Sequence, residues 1–333
     1  MTDVKTVSII VVSYKAGNML DKCIASLERQ TCHDIEIIIV DNGSGTGIAA
    51  KYPRHKVVTL AKNLGFAGGN NAGIAAATGN YIALINDDAT AESNWTDRML
   101  VTFRDIEDCG AVACAVIDGN RPELMDSCGV GVALDGMSRQ TCHGHPVNSV
   151  IARKEVIAFS GCGCMIRRDV LDITGLFDEQ FFAYCEDTDL SLRVIRAGFR
   201  IIFEPKARIL HHYSHTGGKY SLNKVYWVER NHFWVAAKNY PALLVVFLPL
   251  ITIWRFILQA CSITRKDGAL RGFMENSIIS IILTLVRAQV SAMKSLPGML
   301  RKNREFRPKG GISEFRLLGL ILRFKMDIKE IIG

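Results

Sequence analysis

The chain has 333 residues and a mass of 36.8 kDa, which at roughly 150 residues per domain points to about two domains. Its 49% hydrophobic and 22% charged residues exclude wholesale disorder. The net charge of +7 is unevenly spread. Residues 1–240 hold 25 Lys and Arg against 27 Asp and Glu, whereas residues 241–333 hold 15 against 6. A uniformly basic nucleic-acid binder is thereby disfavoured, and a near-neutral catalytic body with a basic tail region is expected.

The first 120 residues alternate strand-like and helix-like segments. Val7–Val12 is a short β-branched apolar run, as expected of a strand buried on both faces. Residues 17–29 place Met19, Leu20, Cys23, Ile24 and Leu27 on one helical stripe. Ile35–Val40, Val57–Leu60 and Tyr81–Ile85 predict three more strands, with helices over 69–77 and 93–106. This βαβ alternation predicts a largely parallel sheet with helices on both faces. Residues 118–150, rich in Gly, Asp and Ser, read as a long loop or hairpin insertion. A strand at Cys164–Ile166, a helix over Asp169–Thr174 and another over Thr188–Ala197 follow. Ile201–Phe203 and Arg208–Leu210 read as two short strands separated by Pro205. From residue 222 the pattern is helical. Ala242–Ile263 is a 22-residue apolar stretch interrupted by Pro249 and Arg255, and Ile278–Val286 is a second apolar run.

The ten cysteines form no Cys-x-x-Cys pair, and Cys162-Gly-Cys164 alone is a weak zinc signal. They read as scattered thiols of a reducing compartment. The N-terminal residues lack the pattern of a secretory leader.

In an open parallel sheet, ligands bind beyond the carboxyl ends of the strands. Three apolar strands here run into Ser13-Tyr14-Lys15, Asp41-Asn42-Gly43-Ser44 and Asn86-Asp87-Asp88. Acids after an apolar strand are costly to bury without a cation or solvent. They therefore read either as hard oxygen ligands for Mg2+ or Mn2+ clamping a diphosphate, or as a solvated Asx turn. Asn63–Gly73 is glycine-rich but matches neither a dinucleotide fingerprint nor a phosphate-binding loop. It reads as a ligand-approach element or as a turn opening a helix. Glu186-Asp187-Thr188-Asp189 begins a helix, where the dipole favours acids and holds their pKa low. The pattern fits simple capping or a carboxylate base at a cleft. Arg193 and Arg196, on the same helix, either pair with those acids or meet phosphate. His211-His212-Tyr213-Ser214-His215 adds three histidines in five residues.

Together these segments resemble the family 2 inverting glycosyltransferases of GT-A fold, in particular the rhamnosyltransferase-like branch. The resemblance lies in VSIIVVSYKAGNMLDKCIASL (7–27), EIIIVDNGSGTG (36–47), NLGFAGGNNAGIAAATGNYIALINDDA (63–89), SGCGCMIRRDVLDITGLFDEQFFAYCEDTDLSLRVIRAGF (160–199) and EPKARILHH (204–212). The five blocks span residues 7 to 212 in the family's order. The resemblance implies an α/β, Rossmann-like GT-A catalytic domain over 1–220 and a helical C-terminal region over 221–333. It implies that Ser13, Tyr14, Asp41, Asn63, Gly68, Asn70 and Asp87 contact the nucleotide sugar. Asp88 and His211 would contact Mg2+ or Mn2+, and Asp187 would be the catalytic base, with Asn86, Glu186 and Arg193 in support. Two departures stand out. Asn86 replaces the first acid of the family's DxD, offering an oxygen but no charge, and Lys15 stands where many relatives carry Asn.

The implied reaction is a metal-dependent, inverting transfer from a nucleotide-diphosphate sugar to a hydroxyl, in cell-surface polysaccharide synthesis. A dTDP- or UDP-linked donor and a glycan or polyprenyl-diphosphate-linked acceptor are expected. The apolar stretches and basic clusters predict association with the cytoplasmic side of the plasma membrane, or alternatively a soluble helical domain that forms a homo-oligomer. Residues 242–263 would reach about 33 Å as a helix at ~1.5 Å per residue, enough to span, although Arg255 and Pro249 disfavour it. Two rival functions are a nucleotidyltransferase, disfavoured because SYKAGNML after the first strand lacks a basic glycine-rich loop, and an inactive sugar-nucleotide-binding protein, for which Asn86 is the hint.

Overall fold

The computed structural model describes residues 5–14, 17–212, 221–262 and 277–326. Lys15, His215 and Ile263 lie outside the described residues. The chain divides into two compact units, Met1–Val130 with Gln140–Thr216, and Gly131–Arg139 with Gly217–Gly333.

In chain order the first unit and its hairpin excursion comprise β1 (Val7–Ser13), α1 (Asn18–Leu27), β2 (Ile35–Asp41), α2 (Ile48–Lys51), β3 (Lys56–Thr59), α3 (Gly65–Ala76), β4 (Tyr81–Asn86), β5 (Ala89–Ala91), α4 (Trp95–Asp105), β6 (Cys109–Asp118), β7 (Met125–Ser127), β8 (Val130–Val132), β9 (Ser138–Gln140), β10 (Lys154–Val156), β11 (Gly163–Arg167), α5 (Arg168–Thr174), α6 (Glu186–Arg196) and β12 (Arg200–His211). The main sheet runs β10-β12-β6-β11-β4-β1-β2-β3, with β5 on β12 and β7 on β6. β1 lies parallel to β2 and β4, β2 to β3, and β6 to β12. β11 is inserted antiparallel between β4 and β6. The sheet is therefore mostly parallel but mixed, an α/β architecture.

β1 is buried almost throughout, as its unbroken apolar run requires, and α1 buries Leu20, Cys23, Ile24 and Leu27 against the core. Two features differ from the sequence expectation. β6 is a ten-residue, fully buried strand that the Ala-, Gly- and Cys-rich CGAVACAVID did not announce. β12 is one strand rather than two, because a register irregularity between Glu204 and Arg208 absorbs Pro205. Residues 118–150 take the hairpin alternative, with β8 paired to β9. They hold β7, β8 and β9, and Met125 to Val132 are buried. The nine cysteines with described side chains are free thiols.

The second unit contains α7 (Leu222–Asn239), α8 (Ala242–Ser262), α9 (Ile278–Glu305) and α10 (Glu314–Arg323). Arg255 of α8 is not a charge facing outward. It is 3% exposed, with Nε 2.6 Å from Asp135 and a guanidinium nitrogen 2.8 Å from Glu229 of α7. Leu248, Thr252 and Arg255 form the buried face of α8, while Leu243, Val246, Phe247, Leu250, Trp254 and Ile257 face outward. α9 buries Ala288, Ala292 and Met299 and exposes Ile279, Ile282, Leu283, Val286, Val290 and Met293. Among the described residues, Ile279–Glu305 is the one helix long and apolar enough to cross a membrane by length and composition. Ala242–Leu258 is shorter.

Candidate active site

Parallel pairing sets the ends of three strands side by side. Ser13 is in register with Asp41, and Val12 with Asn86. The predicted residues Ser13, Tyr14, Asp41 and Asn86–Asp88 thus gather at one sheet edge. Ser13 and Asp41 are buried, and Tyr14 is 37% exposed. The Asp41 carboxylate accepts from the Ser44 backbone N–H at 2.8 Å, which shapes the turn after β2. Burial pushes the Asp87 carboxyl up to about 6, against the pull of the Ser13 hydroxyl.

Asp88 lies two residues after the end of β4 and directly precedes β5, which pairs antiparallel with the end of β12. That pairing delivers His211 to Asp88. The His211 Nε2 lies 3.2 Å from Asp88 Oδ1, and the His212 backbone N–H donates to the Asp88 carbonyl at 2.9 Å. On the far side of the ring, Nδ1 is 3.2 Å from Asp126 Oδ2. Burial alone would lower the pKa of His211, but Cys162, Asp126 and Asp88 outweigh it and raise it. Asp126 belongs to the segment read as a long loop or hairpin insertion, and nothing in its local sequence marked it.

The Asn86 N–H donates to the Cys162 carbonyl at 3.0 Å, joining the end of β4 to the start of β11. One residue before Cys162, the Gly161 N–H donates to Asp187 Oδ2 at 3.0 Å. Asp187 Oδ1 takes the Thr188 N–H at 2.7 Å. Asp187, half-buried, is thereby tied to the loop that adjoins the Asn86–Asp88 edge. Glu186 beside it is buried, and its Oε2 has no hydrogen-bond partner. The expectation that the helix dipole holds these acids low is corrected. Burial raises Asp187, and burial plus the Asp187 charge raise Glu186 well above the ordinary range. The loop leading into α6 carries Phe182, Tyr184 and Cys185 at φ of 67°, 71° and 67°. Three non-glycine residues in the left-handed region cost backbone energy, which the surrounding packing must hold in place.

The glycine-rich element fastens this loop. Gly65 has φ +73°, and a Cβ there would strike the Phe182 carbonyl. The Ala67 N–H donates to that same carbonyl at 3.2 Å. Asn63 Oδ1 accepts from the Gly65 N–H and from Asn42 Nδ2, so Asn63 buttresses the turn. Asn42, which the sequence reading quoted but did not single out, also caps Leu64 and binds Gly65. Asn70 is buried and donates to Phe66 one turn back. Gly68 is buried inside α3 beneath Leu64. In this structure Asn63, Gly68 and Asn70 thus serve the turn and the helix. Arg193 is also engaged away from the edge. Its guanidinium forks onto Asp189 at 2.8 and 3.1 Å and donates to the carbonyls of Thr174 and Gly175, so of the two alternatives it takes the pairing with an acid of the first turn of α6.

Asp88 and His211 supply one hard oxygen and one imidazole nitrogen. Among the described residues no group of three or more His, Cys, Asp or Glu is arranged to hold a metal ion. Asp126 stands behind the ring, not beside Asp88, and is no third ligand. Such a partial donor set fits Mg2+ or Mn2+ whose remaining positions are filled by water and substrate phosphate.

The family description "Glycosyl transferase family 2" matches residues 8–173, which contain the edge from Ser13 to Asp88. The chain belongs to glycosyl transferase family 2. It is 26% identical over 245 residues to the N-acetylglucosaminyl-diphospho-decaprenol L-rhamnosyltransferase of Mycobacterium tuberculosis, covering 66% of this chain and 79% of that protein. The fold of this family 2 chain is that of solved GT-A glycosyltransferases. It superposes on GalNAc-T7 with UDP, GalNAc and Mn2+ at a TM-score of 0.60, with 14% identity, 91% of this chain and 58% of that chain. It also superposes on the mannosyltransferase PcManGT from Pyrobaculum calidifontis, in complex with GDP-Man and Mn2+, at 0.51, with 16% identity, 91% of this chain and 85% of that one.

Proposed function

We propose that the protein transfers a sugar from a dTDP- or UDP-linked donor to a hydroxyl of a glycan or polyprenyl-diphosphate-linked acceptor, with inversion, in cell-surface polysaccharide synthesis. The observation that carries this reading is the convergence at one sheet edge: Asp88 against His211, with Asp187 anchored through Gly161 to the adjoining strand start. Ser13, Tyr14 and Asp41 form the nucleoside side of that edge. A divalent ion held by Asp88 and His211 would offset the charge of the departing diphosphate. Asp187 in its ionised form takes the proton of the acceptor hydroxyl. The acceptor oxygen bonds to the anomeric carbon as the bond to the diphosphate breaks, and the diphosphate leaves with the electron pair. One displacement inverts the anomeric centre, so no covalent enzyme intermediate is formed.

The lipid-linked acceptor is supported by the mycobacterial relative, whose name states such a substrate, and by the outward apolar faces of α8 and α9. These faces favour attachment to the cytoplasmic surface of the plasma membrane over a soluble oligomer, because basic residues adjoin them on α9. A thermal-shift screen of nucleotide sugars with and without Mn2+ tests the donor, since specific binding to the folded state raises the melting temperature. Anomeric NMR of the product tests inversion. Pyrophosphate exchange from a nucleoside triphosphate would replace this reading with a nucleotidyltransferase. Donor binding with neither transfer nor slow hydrolysis would replace it with an inactive binder.

A further inference from the structure

We propose that Asp126 is a positioning residue for the divalent-ion site, fixing the His211 ring so that Nε2 faces Asp88. The inference rests on the reading of Asp88 and His211 as the ion-holding pair. β7 pairs with β6 through Ser127↔Val116 and Met125↔Ile117, and the register shifts between them. Asp126 stands at this irregularity, between the two paired residues. Bulged positions re-aim a side chain, and this one aims at the neighbouring strand end, where His211 of β12 is in register with Asp118 of β6.

The backbone around His211 is already held. Its carbonyl accepts from the Gly119 N–H at 2.8 Å, and the next N–H donates to the Asp88 carbonyl at 2.9 Å. What remains to be fixed is the rotation of the ring. A half-turn would exchange nitrogen and carbon atoms and take Nε2 away from Asp88. Asp126 Oδ2, 3.2 Å from Nδ1, opposes that turn. Both ring nitrogens face carboxylates, which only accept, so without an ion both carry protons; when an ion takes the Nε2 lone pair, the proton that stays is the one on Nδ1, held by Asp126. Asp126 is 1% exposed, a costly place for an acid without a specific task. Its second oxygen lies 3.3 Å from Nδ1 of His143, whose side chain is 57% exposed. His143 is therefore the natural control, touching the same carboxylate from the solvent side.

The test titrates Mn2+ in the presence of UDP by electron paramagnetic resonance, using the full chain. Asp126→Asn and His211→Ala should each weaken apparent Mn2+ affinity by about 10–100-fold, the usual cost of losing an outer-shell partner or more. His143→Ala should stay within about twofold, as expected of a mostly solvated contact, and metal-free UDP binding should be unchanged in Asp126→Asn and His143→Ala. Wild-type Mn2+ affinity in Asp126→Asn, with loss in His211→Ala, overturns the positioning role and leaves the ion site standing. Wild-type affinity in His211→Ala overturns both. Should Asp126→Asn fail to fold, the wild type decides. With Mg2+ and UDP bound, 15N-histidine spectra should show His211 protonated at Nδ1 and bare at Nε2, and the opposite tautomer overturns the proposal.

Discussion

Asp187 sits at the second position of α6, where the helix dipole favours a negative charge and burial opposes it. Burial wins, and the carboxyl is raised. A base must be ionised to act, so the acidic limb of the kcat/KM profile should lie above the ordinary aspartate range near 3.8. Asp187→Asn should lower kcat by about 10²–10⁴-fold, the range of a general base, and leave UDP affinity unchanged in calorimetry. Near-wild-type turnover would remove Asp187 from the role. Glu186 is raised further, by burial first and then by the Asp187 charge. A raised acid gives its full stability below its unfolded pKa and loses it as pH rises through the folded value. Glu186→Gln should therefore raise the melting temperature at pH 8 by a few degrees relative to wild type, with the gain vanishing near pH 4. Scanning calorimetry at both pH values checks the sign. Asp87, Asp88 and Asp187 were legible because acids directly after an apolar strand or opening a helix stand out in sequence. Asp126 and Asn42 were not. The first acts from a bulge that only the β6 pairing creates, and the second through backbone groups of a turn 22 and 23 residues away.

α3 is an element whose sequence left two purposes open, a ligand approach or a turn opening a helix. Its glycines suggest approach to a ligand, yet a Cβ on Gly69 would lie 2.6 Å from Val12 and one on Gly73 2.5 Å from Ile10. They let the helix settle onto β1, which carries Ser13 to the site. Alanine is preferred to glycine within a helix by about 1 kcal/mol. Overpacking a closed core costs about 1–3 kcal/mol. Gly73→Ala should thus be net destabilising, by up to about 2 kcal/mol in urea unfolding. Gly319→Ala in α10, where nothing lies within 4 Å, should instead stabilise by up to about 1 kcal/mol. The opposite ordering would show that α3 does not touch the sheet through these positions. The strands β1, β2 and β4 were readable because β-branched runs leave little choice of conformation. β6 was not, because its alanines, glycine and cysteines have weak strand preference and it is held by burial between β12 and β11. The two half-strands expected around Pro205 join because β12 meets β6 on both sides of the irregularity.

In the second unit the question is what covers the apolar helix faces. A helix spanning a bilayer alone meets lipid on every side. α8 cannot do so as folded, because Arg255, Thr252 and Leu248 are buried and Arg255 is paired with Asp135 and Glu229. Releasing that pair would strand buried charges at a cost of about 3–5 kcal/mol. Lying in the interface keeps it intact. On α9 the outward stripe at Ile279, Ile282, Val286, Val290 and Met293 continues along the same face, at steps of three and four residues, to Arg301 and Arg304. An apolar stretch ending in cations on one line suits acyl chains followed by anionic headgroups. Each basic residue near such a surface contributes about 1 kcal/mol. Arg301→Ala with Arg304→Ala should therefore weaken binding to phosphatidylglycerol-containing vesicles by about 30-fold at low salt, and the difference should shrink at 1 M salt. Leu250→Asp with Val286→Asp should abolish sedimentation with the vesicles without lowering the melting temperature, since both side chains are exposed. Alkaline carbonate should strip the wild-type chain from membranes. Retention after that wash would mean that Ile279–Glu305, the one described helix long and apolar enough, crosses the bilayer instead of resting on it.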